Sequence, residues 1–227
     1  MKRNISLFVK WVFDRVVSFI GLVCFSWLYA IIAILIKIKM PGPVLFVQKR
    51  VGKGGKMFKV HKFRSMAVLT KSDAVTGVAA SEAHRITPLG EKLRRYKLDE
   101  LPELWDVLIG GMSFVGPRPD IAGYADLLEG KHRRILRLRP GITGPASLKY
   151  RNEEELITNY VREARARGEW SDLTDAELAQ MYNDTVIYPD KCRLNYYYFR
   201  NYSFYMDIKM IFATVLGRHM IYANEEI

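Results

Sequence analysis

The sequence predicts a small mixed α/β domain, with a β-hairpin and several amphipathic interface helices, anchored by an N-terminal re-entrant membrane helix. Three observations predict it. Val16 to Ile36 is an apolar run without formal charge; two short apolar strand patterns flank a glycine-rich turn at Gly52-Lys53-Gly54-Gly55; and much of the remainder carries charged, helical periodicity. The expected organisation is a membrane helix over 1–40 and a single domain with interfacial helices over 41–227. A chain of 227 residues, 49% hydrophobic and 26% charged, can build one substantial core, or a modest core plus a membrane segment.

The apolar run meets the length of about 18 to 20 residues needed to cross a bilayer. It is longer than the apolar stretch of a signal peptide, and Ile38 to Pro43 offers no small-residue cleavage site. Its flanks decide its path. Lys2, Arg3, Lys10 and Arg15 precede it, while Lys37, Lys39, Lys49, Arg50, Lys53 and Lys56 follow it. Positive charge retains a flank on the cytoplasmic side, so a helix that enters one leaflet, bends and returns satisfies both flanks, whereas a single crossing exports one. A bend needs its backbone groups satisfied in hydrocarbon. Ser26, midway along the run, is the candidate break, because its hydroxyl can bond the carbonyl one turn earlier, near Leu22. An ordinary single-span anchor is the alternative.

Pro41-Gly42-Pro43 ends the helix. Val44-Leu45-Phe46-Val47 and Met57-Phe58-Lys59-Val60-His61 then read as the two strands of a hairpin. The glycines between them lack the spacing and the Lys-Ser/Thr ending of a phosphate loop. Residues 67–88, poor in large apolar side chains, read as a mobile surface loop. Leu89 to Leu98 resumes helical periodicity. Leu101, Leu104, Trp105 and Leu108 repeat it, with Pro102 suited to a first turn, so Asp99 and Glu100 fall at or just before a helix start. Glu153 to Asn183 is charged and helical in pattern. Tyr196-Tyr197-Tyr198-Phe199, with Arg193, Arg200, Tyr202, Phe204 and Tyr205, fits either a membrane interface or an aromatic core with a basic rim.

The net charge of +11 calls for an anionic partner: nucleic acid, an anionic membrane surface or a phosphorylated substrate. The basic residues are interleaved with apolar ones beside a membrane helix, and no nucleic-acid motif appears, which disfavours the first. The only cysteines, Cys24 and Cys192, suggest neither a disulfide framework nor a metal site, and suit a reducing compartment.

An isolated Asp-Glu-Leu-Pro is most simply a helix cap with a solvated charge. Here Asp99 and Glu100 lie among Lys62, Arg64, Arg94, Arg95, Lys97 and Arg118, cations that favour ionised carboxylates and can grip phosphate oxygens. Gly116-Pro117-Arg118-Pro119 is so constrained that Arg118 should project from a stiff turn, as a phosphate clamp or as the partner of a carboxylate.

Lys62-Phe63-Arg64-Ser65-Met66, Leu98 to Leu104, Met112 to Pro119 and Pro140-Gly141-Ile142-Thr143-Gly144 occur in the order seen in the monotopic phosphoglycosyl transferases, the bacterial sugar transferase family. Lys10, Asp14, Ser18 and Leu22 resemble the start of that family's re-entrant helix, so the resemblance covers nearly the whole chain. It implies an enzyme of the bacterial inner membrane with its catalytic domain on the cytoplasmic face. The implied reaction moves a sugar 1-phosphate from a UDP-sugar to polyprenyl (undecaprenyl) phosphate and releases UMP, opening glycoconjugate biosynthesis. Carried over by position, Asp99 is the nucleophile, Glu100 its catalytic partner and Arg118 the phosphate-binding arginine. Lys62, Arg64 and Arg94 take further phosphate- or substrate-binding positions, and Mg2+ is held at Asp99. Membrane lipids are further partners, nucleic acid is not, and a homodimer is compatible. Two departures stand out: the family's Ser-Pro break reads Ser26-Trp27, and its Gly-Asp-Met reads Gly110-Gly111-Met112. The alternative from another class is a non-catalytic membrane scaffold that binds anionic lipid; a multi-span transferase is disfavoured by the single apolar segment.

Overall fold

The computed structural model describes residues 2–68 and 85–227. Most of the surface loop expected over 67–88 therefore lies outside the described residues. The fold is a mixed helix and strand domain with three small two-stranded sheets among the described residues. It divides into two compact units that interleave along the chain. One comprises Trp11–Arg50 and Met57–Met112; the other comprises Met1–Lys10, Val51–Lys56 and Ser113–Ile227.

The first unit holds the dyad. Helix α1 (Lys2–Cys24) runs into it and meets α2 (Ser26–Lys39) at a bend of 60°. Among the described residues no single helix is long and apolar enough to cross a membrane, whereas this bent pair meets the requirement of length and composition together. The break falls at Phe25, one residue before the expected Ser26. The Phe25 amide donates to Gly21 O at 2.9 Å and its carbonyl accepts from Tyr29 N at 3.0 Å, so backbone bonds cross the bend without a hydroxyl. The pair presents an apolar outer surface, with Phe19, Val23, Trp27, Ile34 and Ile38 exposed, while Asp14 and Ser18 of α1 are buried.

Ile32, Ile36 and Met40 recur every four residues along the inner face of α2 and pack against Phe63 and Leu93. Phe63 ends β2 (Met57–Phe63), which pairs with β1 (Leu45–Val51) about a 3-10 turn at Lys53–Gly55, the hairpin the sequence predicts. Leu93 lies on α3 (Pro88–Arg95), where the Thr87 hydroxyl accepts from Gly90 N at 3.0 Å and Pro88 sits in the first turn. Gly90 is obligatory for packing, since a Cβ there would stand 1.7 Å from Ser65 O. The second helix of this stretch, α4 (Glu103–Ile109), is shorter than its periodicity suggests. Pro102 caps it rather than entering it, and Gly110, at φ 93°, closes it in the left-handed conformation that glycine favours.

The second unit is built on β3 (Ser113–Val115) and β4 (Gly141–Thr143), paired in parallel with Ser113 opposite Gly141 and Val115 opposite Thr143. This pairing explains two of the sequence motifs at once. Gly116 N donates to Thr143 O at 2.9 Å and Gly141 N to Pro117 O at 2.8 Å, so the Gly-Pro-Arg-Pro turn is stitched to Pro-Gly-Ile-Thr-Gly. The backbones come too close for side chains: a Cβ on Gly141 would lie 2.1 Å from Gly116 N. Helices α5 (Pro145–Lys149), α6 (Glu153–Ala166), α7 (Asp175–Tyr182), α8 (Tyr188–Arg200) and α9 (Phe204–Val215) follow. Val115, Leu148, Leu194, Tyr198, Met210 and Ile227 form the core of this unit. Of the two readings of the aromatic run, Tyr198 and Phe199 take the core one, while Tyr197 and Tyr205 stay exposed. Buried Asp207 ties the start of α1 to this core, accepting from Tyr198 Oη at 2.6 Å and pairing with Lys10 Nζ at 2.7 Å. Both cysteines are free thiols.

Candidate active site

Asp99 and Glu100 fall just before α4, as the sequence predicts, but in a turn of their own. They occupy a 3-10 turn, Leu98–Glu100, wedged between α3 and α4 and entered through Lys97 at φ 55°. A non-glycine residue in the left-handed region is uncommon. Here it reverses the chain after α3, and the Lys97 carbonyl then accepts from Glu100 N at 3.3 Å. The bent helix pair reaches this turn directly. The Tyr29 hydroxyl of α2 donates to the carbonyl of Leu101, the residue after the dyad, and Gly21 leaves room for Leu104, whose side chain would stand 3.2 Å from a Cβ there.

Asp99 is buried, and its Oδ1 has no hydrogen-bond partner. Burial pushes its carboxyl above the ordinary carboxylate value, the neighbouring Glu100 charge pushes it further, and Lys62 and Lys97 draw it back. The sequence anticipates the cations but not the desolvation, which depends on packing. Glu100 has a firm partner. Lys62 Nζ of β2 lies 2.6 Å from Glu100 Oε1 and 3.2 Å from Glu103 Oε1, so one ammonium bridges a partly exposed carboxylate and a buried one. Glu103 escapes sequence reasoning because an acidic residue in a first helical turn is the ordinary case. So does the pair beside it: fully buried Asp106 of α4 accepts from His61 N at 2.8 Å, and its Oδ1 lies 2.6 Å from His61 Nδ1. Burial raises the Asp106 carboxyl, and the His61 bonds offset part of that rise.

The remaining candidates divide. Arg64 is buried; its Nη1 donates to Pro41 O at 2.9 Å and its Nη2 to Met40 O, so the guanidinium caps the exit of α2. Arg94 is half-buried in the last turn of α3, in the same unit as the dyad. Arg118 is exposed on the stitched turn after β3 and belongs to the other unit. Ser26 opens α2 at the bend. Gly111, where the resemblance expects aspartate, faces Phe58, whose ring would stand 3.1 Å from a Cβ.

A buried carboxylate oxygen left open beside a lysine-bridged glutamate is what a transferred phosphoryl group would need. The model of the bacterial sugar transferase family matches residues 5–219. The chain belongs to that family. Its relatives include the UDP-glucose:undecaprenyl-phosphate glucose-1-phosphate transferase of Escherichia coli, 37% identical over 206 residues, which are 89% of this chain and 38% of that protein. The UDP-N-acetylgalactosamine-undecaprenyl-phosphate N-acetylgalactosaminephosphotransferase of Aeromonas hydrophila is 32% identical over 93% of this chain and 44% of its own length. The exopolysaccharide production protein PSS of Rhizobium leguminosarum is 38% identical over 93% of this chain and 96% of its own. This sugar transferase chain thus spans less than half the length of the first two relatives and nearly all of the third.

The residues present suit a magnesium ion. Among the described residues no cluster of three or more His, Cys, Asp and Glu could cage a metal by itself. Magnesium rarely asks for one, since it commonly binds through one or two carboxylates, waters and substrate phosphates. The open Oδ1 of Asp99 is a hard oxygen ligand of that kind.

Proposed function

We propose that this chain transfers a sugar 1-phosphate from a UDP-sugar to undecaprenyl phosphate, giving undecaprenyl-diphosphate-sugar and UMP, as a membrane-anchored enzyme of polysaccharide synthesis. The unpartnered Oδ1 of buried Asp99 carries this reading: a buried polar atom with a purely structural role is ordinarily hydrogen-bonded. The family membership and the activities named for its relatives supply the substrate classes.

In the first step the ionised Asp99 carboxylate attacks the sugar-bearing phosphorus of the UDP-sugar. The bond from that phosphorus to the bridging oxygen breaks, UMP leaves, and Asp99 carries a phosphosugar ester. In the second step an oxygen of undecaprenyl phosphate attacks the same phosphorus, the aspartyl ester bond breaks, and the carboxylate is restored. Glu100 accepts the acceptor's proton where the phosphate arrives as a monoanion, or orients it, with Lys62 fixing its position. Magnesium bound at Asp99 would offset charge on the phosphoryl oxygens, and Arg94 and Arg118 would bind phosphate. The bent helix pair, with its apolar outer face, would hold the dyad at the cytoplasmic interface where the acceptor's head lies. The test is UMP release from a panel of UDP-sugars with magnesium and undecaprenyl phosphate. One donor should support release that Asp99→Asn abolishes, and absence of release with every donor would reject the reading.

A further inference from the structure

Adjacent residues of β2 grip the same short helix. His61 holds Asp106 in the middle of α4 through its amide at 2.8 Å and its ring Nδ1 at 2.6 Å. Lys62 holds Glu103 in the first turn of α4 at 3.2 Å and Glu100 just before it at 2.6 Å. Helix α4 is 7 residues long and starts without a side-chain cap, so tertiary contacts must fix where it lies. A lysine is a poor device for that. Its four-carbon stem is flexible and its ammonium is a point charge without a preferred direction. The His61–Asp106 contact has the opposite character: one carboxylate, wholly out of water, takes two directional bonds from a single residue. Burying a carboxylate is costly unless bonds of good geometry offset it, and an apolar contact would have joined strand to helix without setting their register. Just past Lys62 the chain is held again, by Arg64 N donating to Val44 O at 2.9 Å and by the Arg64 cap on α2.

We propose that His61 and Asp106 form a positioning pair that sets the register of β2 against α4 and so places the Lys62 ammonium between Glu100 and Glu103. The pair touches no substrate; it acts through Lys62. Only its kinetic consequence rests on the phosphotransfer reading above, because the placement of Lys62 can be measured without turnover.

The experiment follows amine labelling of each lysine by peptide mass spectrometry in the full-length chain in detergent, for wild type, His61→Ala, Asp106→Ala and Asp106→Asn. Lys62 should label about tenfold faster in the two alanine variants, the scale of one lost charge-assisted hydrogen bond. Lys149 and Lys191, ion-paired in the other unit, should not change. Asn keeps an acceptor for the His61 amide and adds a donor for Nδ1, so Asp106→Asn should return Lys62 labelling to within about twofold of wild type. If UMP release is the activity, kcat falls in the alanine variants with KM for the UDP-sugar little changed, and recovers in Asp106→Asn. A general loosening of the fold would speed every lysine together, and Lys62 rates that track Lys149 in all variants overturn the proposal. Should Asp106→Ala fail to fold, His61→Ala carries the test, since it retains the backbone bond to the carboxylate. Selective Lys62 exposure in a chain that releases no UMP would leave the positioning pair standing and reject the phosphotransfer reading alone.

Discussion

A carboxylate that loses water without gaining a hydrogen bond destabilises the fold around it, and Asp99 Oδ1 is such an oxygen. Asp99→Asn should therefore lose turnover yet remain folded, with stability equal to wild type or higher by about 1 kcal/mol, the scale of one relieved polar group; urea melts read the second outcome. Lys62 behaves in the opposite way. Lys62→Ala removes an ammonium from beside buried Glu103, and a loss of about 3 kcal/mol, the scale of breaking a buried pair on one side, is expected. Asp106 supplies a pH dependence. Because burial raises its carboxyl, the native state holds the proton more tightly than the unfolded chain. Its stabilising contribution is full below the ordinary carboxylate range and is lost as pH rises through the raised value. Asp106→Asn removes that dependence, so the stability difference between variant and wild type should shrink on acidification, as melts over a pH series would show. At this scale the sequence discloses the dyad and Lys62, because they sit in recognisable motifs. It does not disclose Glu103, His61 or Asp106, which gain meaning only when a strand some 40 residues earlier is laid against α4.

Among the elements, the hairpin was legible because alternating apolar residues flank a glycine turn, and α3 because proline and threonine mark its start. The dyad turn was not. Its helical periodicity runs on through Leu98 and Leu101, and only the left-handed Lys97 shows where the helix stops. The β3–β4 pair was also missed, since three-residue strands carry too little pattern to be read. Its glycines were visible, and their reason is tertiary: Gly141→Ala would drive a Cβ to 2.1 Å from Gly116 N. That substitution should cost about 3 kcal/mol and disorder the Arg118 turn, as amide exchange across residues 113–119 would report. Arg64 shows what a motif does not disclose, since its guanidinium caps the exit of α2. Arg64→Lys keeps the charge but loses the fork, and it should lower thermal stability without a change specific to UDP-sugar KM.

At the scale of the whole molecule, the re-entrant path proposed from the bend and the paired basic flanks would put both ends of the helix pair on one side. In intact cells Cys24, exposed next to the bend, should resist a membrane-impermeant thiol reagent applied from outside, and reporters at both termini should read cytoplasmic; labelling of Cys24 from outside would indicate a full crossing. Such a placement would serve the proposed reaction between two anions, one soluble and one fixed in the membrane, which need not meet if Asp99 carries the phosphosugar between them. The most direct measurement is a single turnover of purified enzyme with its UDP-sugar and magnesium but without undecaprenyl phosphate. The covalent account predicts at most one UMP per chain and an intact-mass gain of one phosphosugar located on Asp99. UMP release that waits for undecaprenyl phosphate, with no adduct on Asp99, would contradict it.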